Sequence, residues 1–441
     1  PVLLKALANT PFPDAAFLKF DEFLTNLPAG VQLFSMFYSN PHLLDLLAEI
    51  IGLAPRLAEH LSRRPSILES VLSADFFDPP PSPDALDVEL DRHLVQAGNM
   101  EDVLNISRRW ANDRRFQVGV RTLLGHIAPA AASRGLSNIA ETALNRLLPR
   151  IEEEFARKHG RISGSAMVII AMGKLGGREM TSTSDLDLIF VYTTPDDRAA
   201  SKGPRPLPPS QYFARLSQRL INAVTAHTAE GRLYEVDMRL RPSGKAGPLA
   251  SSFKAFVQYH RDAAWTWEHL ALTRARVIAG PASLGKKVKT VIRDVLTRPR
   301  DEDRLVRDIA EMRERMDSEH HTDSIWEVKH LRGGLVDVEF IAQYLQLKHA
   351  HAHPEILSPN TWMVLKRVRD AGLIDSSAAD RLTEALALWQ TIQGTLLLAI
   401  EGRFDKQEGS ALPEGLRETL AELGGAVDFA ALKAKIDTMA K

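Results

Sequence analysis

The sequence contains no cysteine. Disulfides, thiolate metal sites and cysteine nucleophiles are therefore excluded, which agrees with a cytoplasmic location. It has no excess of charge of either sign. Lys and Arg number 55 against 56 Asp and Glu, a net charge of −1. No global field draws such a chain to nucleic acid or to acidic lipid, so any polyanion site must be local. Long apolar runs are also missing. Stretches such as Ala166 to Met172 are far too short to span a bilayer. No basic segment followed by an apolar one opens the chain, so no signal peptide is expected. The chain starts at Pro1 without an initiator methionine, as a fragment of a longer protein would.

What is present fits a globular chain, 44% hydrophobic and 25% charged. At 441 residues it is too long for one compact core, and two or three domains are expected. Residues 1 to about 75 read as short helices. Leu33, Met36, Phe37 and then Leu43, Leu44, Leu46 and Leu47 recur at helical spacings. Ser39 or Asn40 before Pro41 is a helix start signal. A proline-rich break at Asp78 to Ala85 precedes a second helical block. That block ends in an amphipathic segment from about Leu136 to His159, with Ile139, Leu144, Leu147, Leu148, Ile151 and Phe155 on one face.

The texture changes at Gly160. "AMVIIAMG" and "LDLIFVYTT" read as strands, "QYFARLSQRLINAVTAHTAEG" as a helix closed by Gly231, and "RLYEVDMRLRP" as a third strand stopped by Pro242. A helix near Ser252 to His260 and a fourth strand in "LALTRARVIAG" follow. Beyond Pro281 the pattern is helical again, over Leu335 to Ala350, Asn360 to Ala371 and Ala378 to Leu398. The expected class is α+β and mostly helical, with a small mixed β-sheet core between two helical regions. The expected divisions are a helical region over 1–110, a catalytic domain over 111–290 and a helical bundle over 291–441.

The chemistry concentrates in "GKLGGREMTSTSDLDLIF", residues 173 to 190. Gly173, Gly176 and Gly177 follow a strand directly, where backbone N–H groups can approach an anion. The spacing is neither a P-loop nor a dinucleotide fingerprint, so a tight turn and a phosphate cradle both remain open. In a strand, Asp185 and Asp187 project to one side, with Leu186 and Leu188 opposite. Two such carboxylates repel unless a cation lies between them. They are either a solvated strand edge or a magnesium site. Further on, Glu235, Asp237, Arg239 and Arg241 share one face of the third strand, although Leu233 breaks the register. They either pair with one another in solvent or line an active-site floor, with carboxylates for metal and arginines for phosphate. In Lys329 to Phe340, Gly333-Gly334 suits a tight entry to a helix, and Asp337 and Glu339 suit its first turns. Trp265 and Trp267 suit packing at a domain interface better than base stacking. His349, His351 and His353 lack a matched ligand pair at helical spacing and suit a helix C-terminus better than zinc.

Gly173-Lys174, ten intervening residues, Asp185-Leu186-Asp187 and a separate strand aspartate resemble the layout of DNA polymerase β-type nucleotidyltransferases. "GKLGGREM…SDLDLIFVY", "YEVDMRLRPSGKAGPL", "AWTWEHLALTRARVIAG" and "GGLVDVEFIAQYL" look more narrowly like the glutamine synthetase adenylyltransferase family. That family carries two similar halves, one adding AMP from ATP and one removing it by phosphorolysis, and the wording here is closer to the C-terminal, adenylylating half. The resemblance implies two Mg²⁺ ions on Asp185, Asp187 and Asp237. It implies ATP phosphates on Gly173, Lys174, Gly176, Gly177 and Ser184, with Arg239, Arg241 and Lys329 neutralising charge. It also implies glutamine synthetase as protein substrate, and the PII signal protein and glutamine as regulators. Two departures stand out: Lys174 where the wider superfamily has glycine or serine, and Glu327 where the family more often has aspartate. The rival readings are the phosphorolytic direction and a catalytically silent nucleotide-sensing module. A polymerase acting on nucleic acid finds little support in a net charge of −1.

Overall fold

The computed structural model describes residues 7–8, 13–25, 37–38, 40–64, 67–71, 73–400, 412 and 414–441. Leu33, Met36 and Ser39 lie outside them. The first helices are α1 (Pro13–Thr25), α2 (Pro41–Leu53), α3 (Pro55–Arg63) and α4 (Ile67–Val71), followed by α5 (Pro83–Leu94), α6 (Met100–Leu123) and α7 (Pro129–His159). The middle of the chain runs β1 (Ala166–Ala171), α8 (Gly173–Gly177), β2 (Leu186–Thr193), α9 (Pro209–Thr225), β3 (Val236–Asp237), β4 (Ala250–Ser252), α10 (Phe253–Gln258), α11 (Thr266–Leu272), β5 (Arg276–Ala279) and α12 (Ala282–Leu296). The last helices are α13 (Glu302–His320), α14 (Leu335–His349), α15 (Thr361–Asp370), α16 (Ser376–Ala399), α17 (Glu414–Leu423) and α18 (Phe429–Met439). The class is α+β and mostly helical, with a mixed sheet of five strands.

Local chemistry explains the long helices. Ser82 accepts the Ala85 N–H at 3.2 Å and Pro83 occupies the first turn, so α5 starts there. Leu86, Leu90 and Leu94 then recur every four residues and are buried. In α7 the apolar stripe is buried as its spacing predicts, from Ile139 through Leu144, Leu147, Leu148 and Ile151 to Phe155. Each such side chain contributes about 1.5–3 kcal/mol by leaving water. Arg157, Lys158 and His159 place positive charge at its C-terminal, negative end.

In the sheet, β1 pairs antiparallel with β2, from Ala166↔Thr193 to Ala171↔Leu188, and with β5 on its other side. Both β3 and β4 pair parallel with the remaining edge of β2, one at each end. The two central strands are buried on both faces, which is why they read as continuous apolar runs. Met167, Ile169, Ala171, Leu186, Leu188 and Phe190 face α5–α7 and α9. Val168, Ile170, Ile189 and Val191 face Phe256, Leu270 and Val288 on α10–α12.

Several boundaries differ from the sequence expectation. The divisions at 110/111 and 290/291 fall inside the continuous helices α6 and α12. Helix α6 spans two cores: Val103, Trp110 and Ala111 join the sheet's core, while Phe116, Val120 and Leu123 join the core of the terminal helices. Nor do the N-terminal helices form a unit of their own. Leu47, Ile50, Ala58 and Leu61 share one apolar cluster with Trp389, Ile392, Leu416 and Leu432. Helix α9 stops at Thr225, and Gly231 instead closes a turn with Thr228. The third strand is only Val236–Asp237, because the Arg241 guanidinium donates to the carbonyls of Met238, Lys245 and Gly247 and curls the chain. β4 carries no alternation in sequence and was not expected. Among the described residues, no helix is long and apolar enough to cross a membrane.

Candidate active site

Sheet register brings the three aspartates together. Asp185 is exposed just ahead of β2, and Asp187 is half-buried as its second residue. β3 meets β2 through two pairs, Leu186↔Val236 and Asp187↔Asp237. The Leu186 N–H donates to the Glu235 carbonyl at 2.9 Å and holds that register. Asp237 therefore stands beside Asp187 although fifty residues separate them in the chain.

The electrostatics are those of an anionic site only partly compensated by arginine. Burial, then the neighbouring Asp185 and Asp237, push the Asp187 carboxyl up to about 7, against the opposing pull of Arg274 and Arg239. For Asp237, burial would raise the value, but Arg239 outweighs it and holds the group below the usual range. Arg239 reaches Asp237 through its backbone N–H at 2.7 Å and its Nε at 2.6 Å. Among the described residues, no group of three or more His, Asp or Glu side chains is placed, as the side chains stand, to hold a metal ion. The donor types nevertheless suit a hard cation: three neighbouring carboxylates, one pushed towards protonation by burial and then by the other two.

The turn after β1 closes over this site. Gly173 has φ +51°, and a Cβ there would run into the Asp187 carboxylate. Glycine is required on both counts. The stretch read as either a tight turn or a phosphate cradle is a single helical turn, α8, ended by Arg178 in the left-handed region. Gly176 and Gly177 are buried. A Cβ on Gly176 would meet the carbonyls of Arg274 and Ala171, and one on Gly177 the Arg274 guanidinium. These two glycines admit β5 and its approach to the turn. Ser184 accepts the Thr181 N–H at 2.9 Å and steadies the loop entering Asp185.

The profile of the glutamate-ammonia ligase adenylyltransferase family matches residues 44–291. The bifunctional glutamine synthetase adenylyltransferase/adenylyl-removing enzyme of Rhodopseudomonas palustris is 42% identical over 436 residues, covering 99% of this chain and 44% of that enzyme. The chain belongs to the glutamate-ammonia ligase adenylyltransferase family. The enzyme of the same description from Xanthobacter autotrophicus is 43% identical over 443 residues, and that from Mesorhizobium japonicum 41% over 437, each again covered over 44% of its length. The chain thus spans a little under half the length of the curated relatives it matches. A second profile, GlnD PII-uridylyltransferase, matches residues 303–438.

The other candidate residues read from the sequence, Lys174, Lys329, Arg239 and Arg241, lie on separate sides of the site. The Lys174 ammonium donates to Gln393 Oε1 on α16 at 2.9 Å, on the side of the turn that meets the C-terminal helices. Burial, then the charges of Lys329 and Arg274, bring it down to about 8, although Glu339 pulls the other way. Lys329 itself is exposed. Arg239 is largely exposed over Asp237, and Arg241 is committed to its three carbonyls.

Sequence reasoning assigned no role to Arg274, Arg276 or Glu179. Arg276 donates to the carbonyls of Gly176 and Leu175, both at 3.1 Å, and pairs with Glu141 on α7. Arg274 donates to the Gly173 carbonyl at 3.0 Å and pairs with both Glu179 and Glu339. Asp337, on the first turn of α14, accepts from Arg313 and from the Gly333 N–H at 2.7 Å. The only available signal was the pair of arginines in "TRARV", two residues apart before an apolar strand.

Proposed function

We propose that the chain transfers AMP from ATP to a tyrosine hydroxyl of glutamine synthetase and releases pyrophosphate. One observation carries this reading: the register that sets Asp237 beside Asp187 and next to Asp185, under a glycine turn that tolerates no side chain. ATP follows from the family's adenylyltransferase description.

The hydroxyl oxygen attacks the α-phosphorus, and the bond to the pyrophosphate oxygen breaks. Asp185 and Asp187 would hold two Mg²⁺ ions, with Asp237 completing the one nearer the hydroxyl. Bound there, such ions neutralise triphosphate charge and polarise the phosphoryl group. Asp237 takes up the hydroxyl proton once Arg239 has swung onto phosphate, and its exposed stem leaves it free to do so. Gly173 and Ser184 border the carboxylates on the side assigned to the β- and γ-phosphates, Lys174 supplies charge from behind the turn, where it rests on Gln393, and Gly176, Gly177 and Lys329 act as the turn's supports and outer charge. The PII-uridylyltransferase match supports the PII signal protein as a regulator acting through the C-terminal helices, with glutamine as a second signal.

The direction is tested with α-labelled ATP, Mg²⁺ and unmodified glutamine synthetase, with and without inorganic phosphate. Label should appear on glutamine synthetase without phosphate. Activity seen only as phosphate-dependent loss of AMP from the modified protein would assign the removing reaction instead.

Gly173→Ala is expected to cost about 1–3 kcal/mol of stability through strain at positive φ. Its methyl group displaces Asp187, and a misplaced catalytic group costs about 10²-fold in rate. Thermal unfolding and initial rates check both. Full activity would mean that the turn does not set the position of Asp187.

A further inference from the structure

The turn over the aspartates is held from the C-terminal helices by polar groups. Arg274 is 5% exposed. Its Nε donates to the Gly173 carbonyl at 3.0 Å, one terminal nitrogen pairs with Glu179, and the other donates to Glu339 Oε1 at 3.0 Å. Glu339 stands on α14, inside the region that matches the second profile, whereas Glu179 and Arg274 lie in the first. Glu179 also accepts the Thr361 N–H at 2.7 Å, the Thr361 hydroxyl at 3.2 Å and the Asn360 amide at 3.1 Å, all at the start of α15. Asn360 donates as well to the Gly177 carbonyl at 3.0 Å.

A buried ionic network is an expensive way to join two parts of a chain. Desolvation offsets much of its Coulombic gain, and apolar side chains of similar volume hold an interface at least as well. What such a network supplies is fixed geometry. An arginine fork sets directions that no apolar contact sets. Here one donor of that fork fixes the carbonyl of Gly173, the residue at which any side chain would run into the Asp187 carboxylate.

We propose that Arg274 is a positioning residue for nucleotidyl transfer, and that the Glu179–Arg274–Glu339 network makes the geometry of the Gly173 turn conditional on the seating of α14 and α15. The inference rests on the transfer chemistry assigned above to the three aspartates. When the C-terminal helices are seated, Glu339 and Glu179 orient the guanidinium and the turn is held over Asp187. When they shift, Arg274 loses a partner, the turn loosens and transfer slows. An effector that binds the C-terminal helices has in this network a direct connection to the phosphate side of the site.

The test uses the full chain carrying Glu339→Gln and, separately, Arg274→Lys, with Asp187→Asn as control. Glu339→Gln keeps the shape and removes one charge. Arg274→Lys keeps the charge and removes the fork. Both should lower kcat 10- to 100-fold and raise KM for ATP several-fold, while leaving KM for glutamine synthetase within twofold, and both should lower the unfolding midpoint because a buried charge loses its partner. Glu339→Asp should recover part of the loss. A Glu339→Gln chain within twofold of the parent in kcat and in KM for ATP would overturn the proposal. So would a loss spread equally over both KM values in chains that remain folded at the assay temperature, since that is a structural role. If Asp187→Asn remains active, the transfer reading itself has failed. If it is inactive while both network variants are unimpaired, only the positioning role has.

Discussion

Asp187→Asn is expected to abolish transfer while making the metal-free chain more stable at neutral pH. The two effects share one cause. Asp187 sits half-buried between Asp185 and Asp237, and burial and those charges push its carboxyl up to about 7. Asparagine keeps the shape but removes the charge that would hold the cation. Loss of several kcal/mol of transition-state charge stabilisation lowers the rate by about 10³-fold or more. For stability the sign is the reverse. A carboxyl whose folded pKa is raised binds its proton more tightly in the folded state, so its contribution is full below pH ~4 and is lost as pH rises through about 7. Asparagine escapes that loss, worth up to about 4 kcal/mol. In EDTA, the stability advantage of the variant should be near zero at pH 4, grow up to pH 7 and then level off. An inactive variant with no stability gain at pH 8 would mean that the three carboxylates do not crowd one another. An active one would remove Asp187 from the chemistry.

The second large effect is a narrow pH optimum. Below about 7, protons compete for Asp187. Because a metal must displace that proton, the Mg²⁺ concentration for half-maximal activity should rise about tenfold for each pH unit of acidification. Above about 8, Lys174 loses its proton, since burial disfavours its charged form. The charge that Lys174 is proposed to offer to phosphate is then lost, and kcat/KM for ATP should fall about tenfold per unit. Lys174→Met should lower the plateau and abolish the alkaline limb, leaving the acid limb in place. An alkaline limb that persists in that variant belongs to another group. Rates measured over pH 5.5–9.5 at several Mg²⁺ concentrations separate the two limbs.

Much of the site was legible because its signals are local. Alternation put Asp185 and Asp187 on one side of a strand, and a separate run placed Asp237 on another. What alternation could not show was their proximity, which depends on two residue pairs between β2 and β3. The third strand looked far longer in sequence, from Arg232 to Arg241, than the two residues it has, because its charged and apolar residues continue to alternate past Asp237. Arg241 ends the strand by taking three carbonyls of the following loop, and no pattern announces a guanidinium satisfied by backbone. Gly176 and Gly177 look like a phosphate cradle but make room for Arg274. The Glu179–Arg274–Glu339 network was least visible. Its members lie far apart in the chain, and each belongs to a residue type that is usually solvated. Helix α7 is the opposite case. Its stripe is long and strictly periodic, and every residue assigned to its buried face is buried.

The central claim is that Asp185, Asp187 and Asp237 form one centre that moves AMP from ATP to a protein tyrosine. The most direct measurement compares [α-³²P]ATP with [γ-³²P]ATP in the presence of Mg²⁺ and unmodified glutamine synthetase, for the parent chain and for Asp185→Asn and Asp237→Asn. The account predicts that α-label alone becomes bound to glutamine synthetase, on tyrosine, and that each substitution reduces it to background while the chain remains folded. Label from the γ-position, or α-label undiminished in both variants, would contradict it.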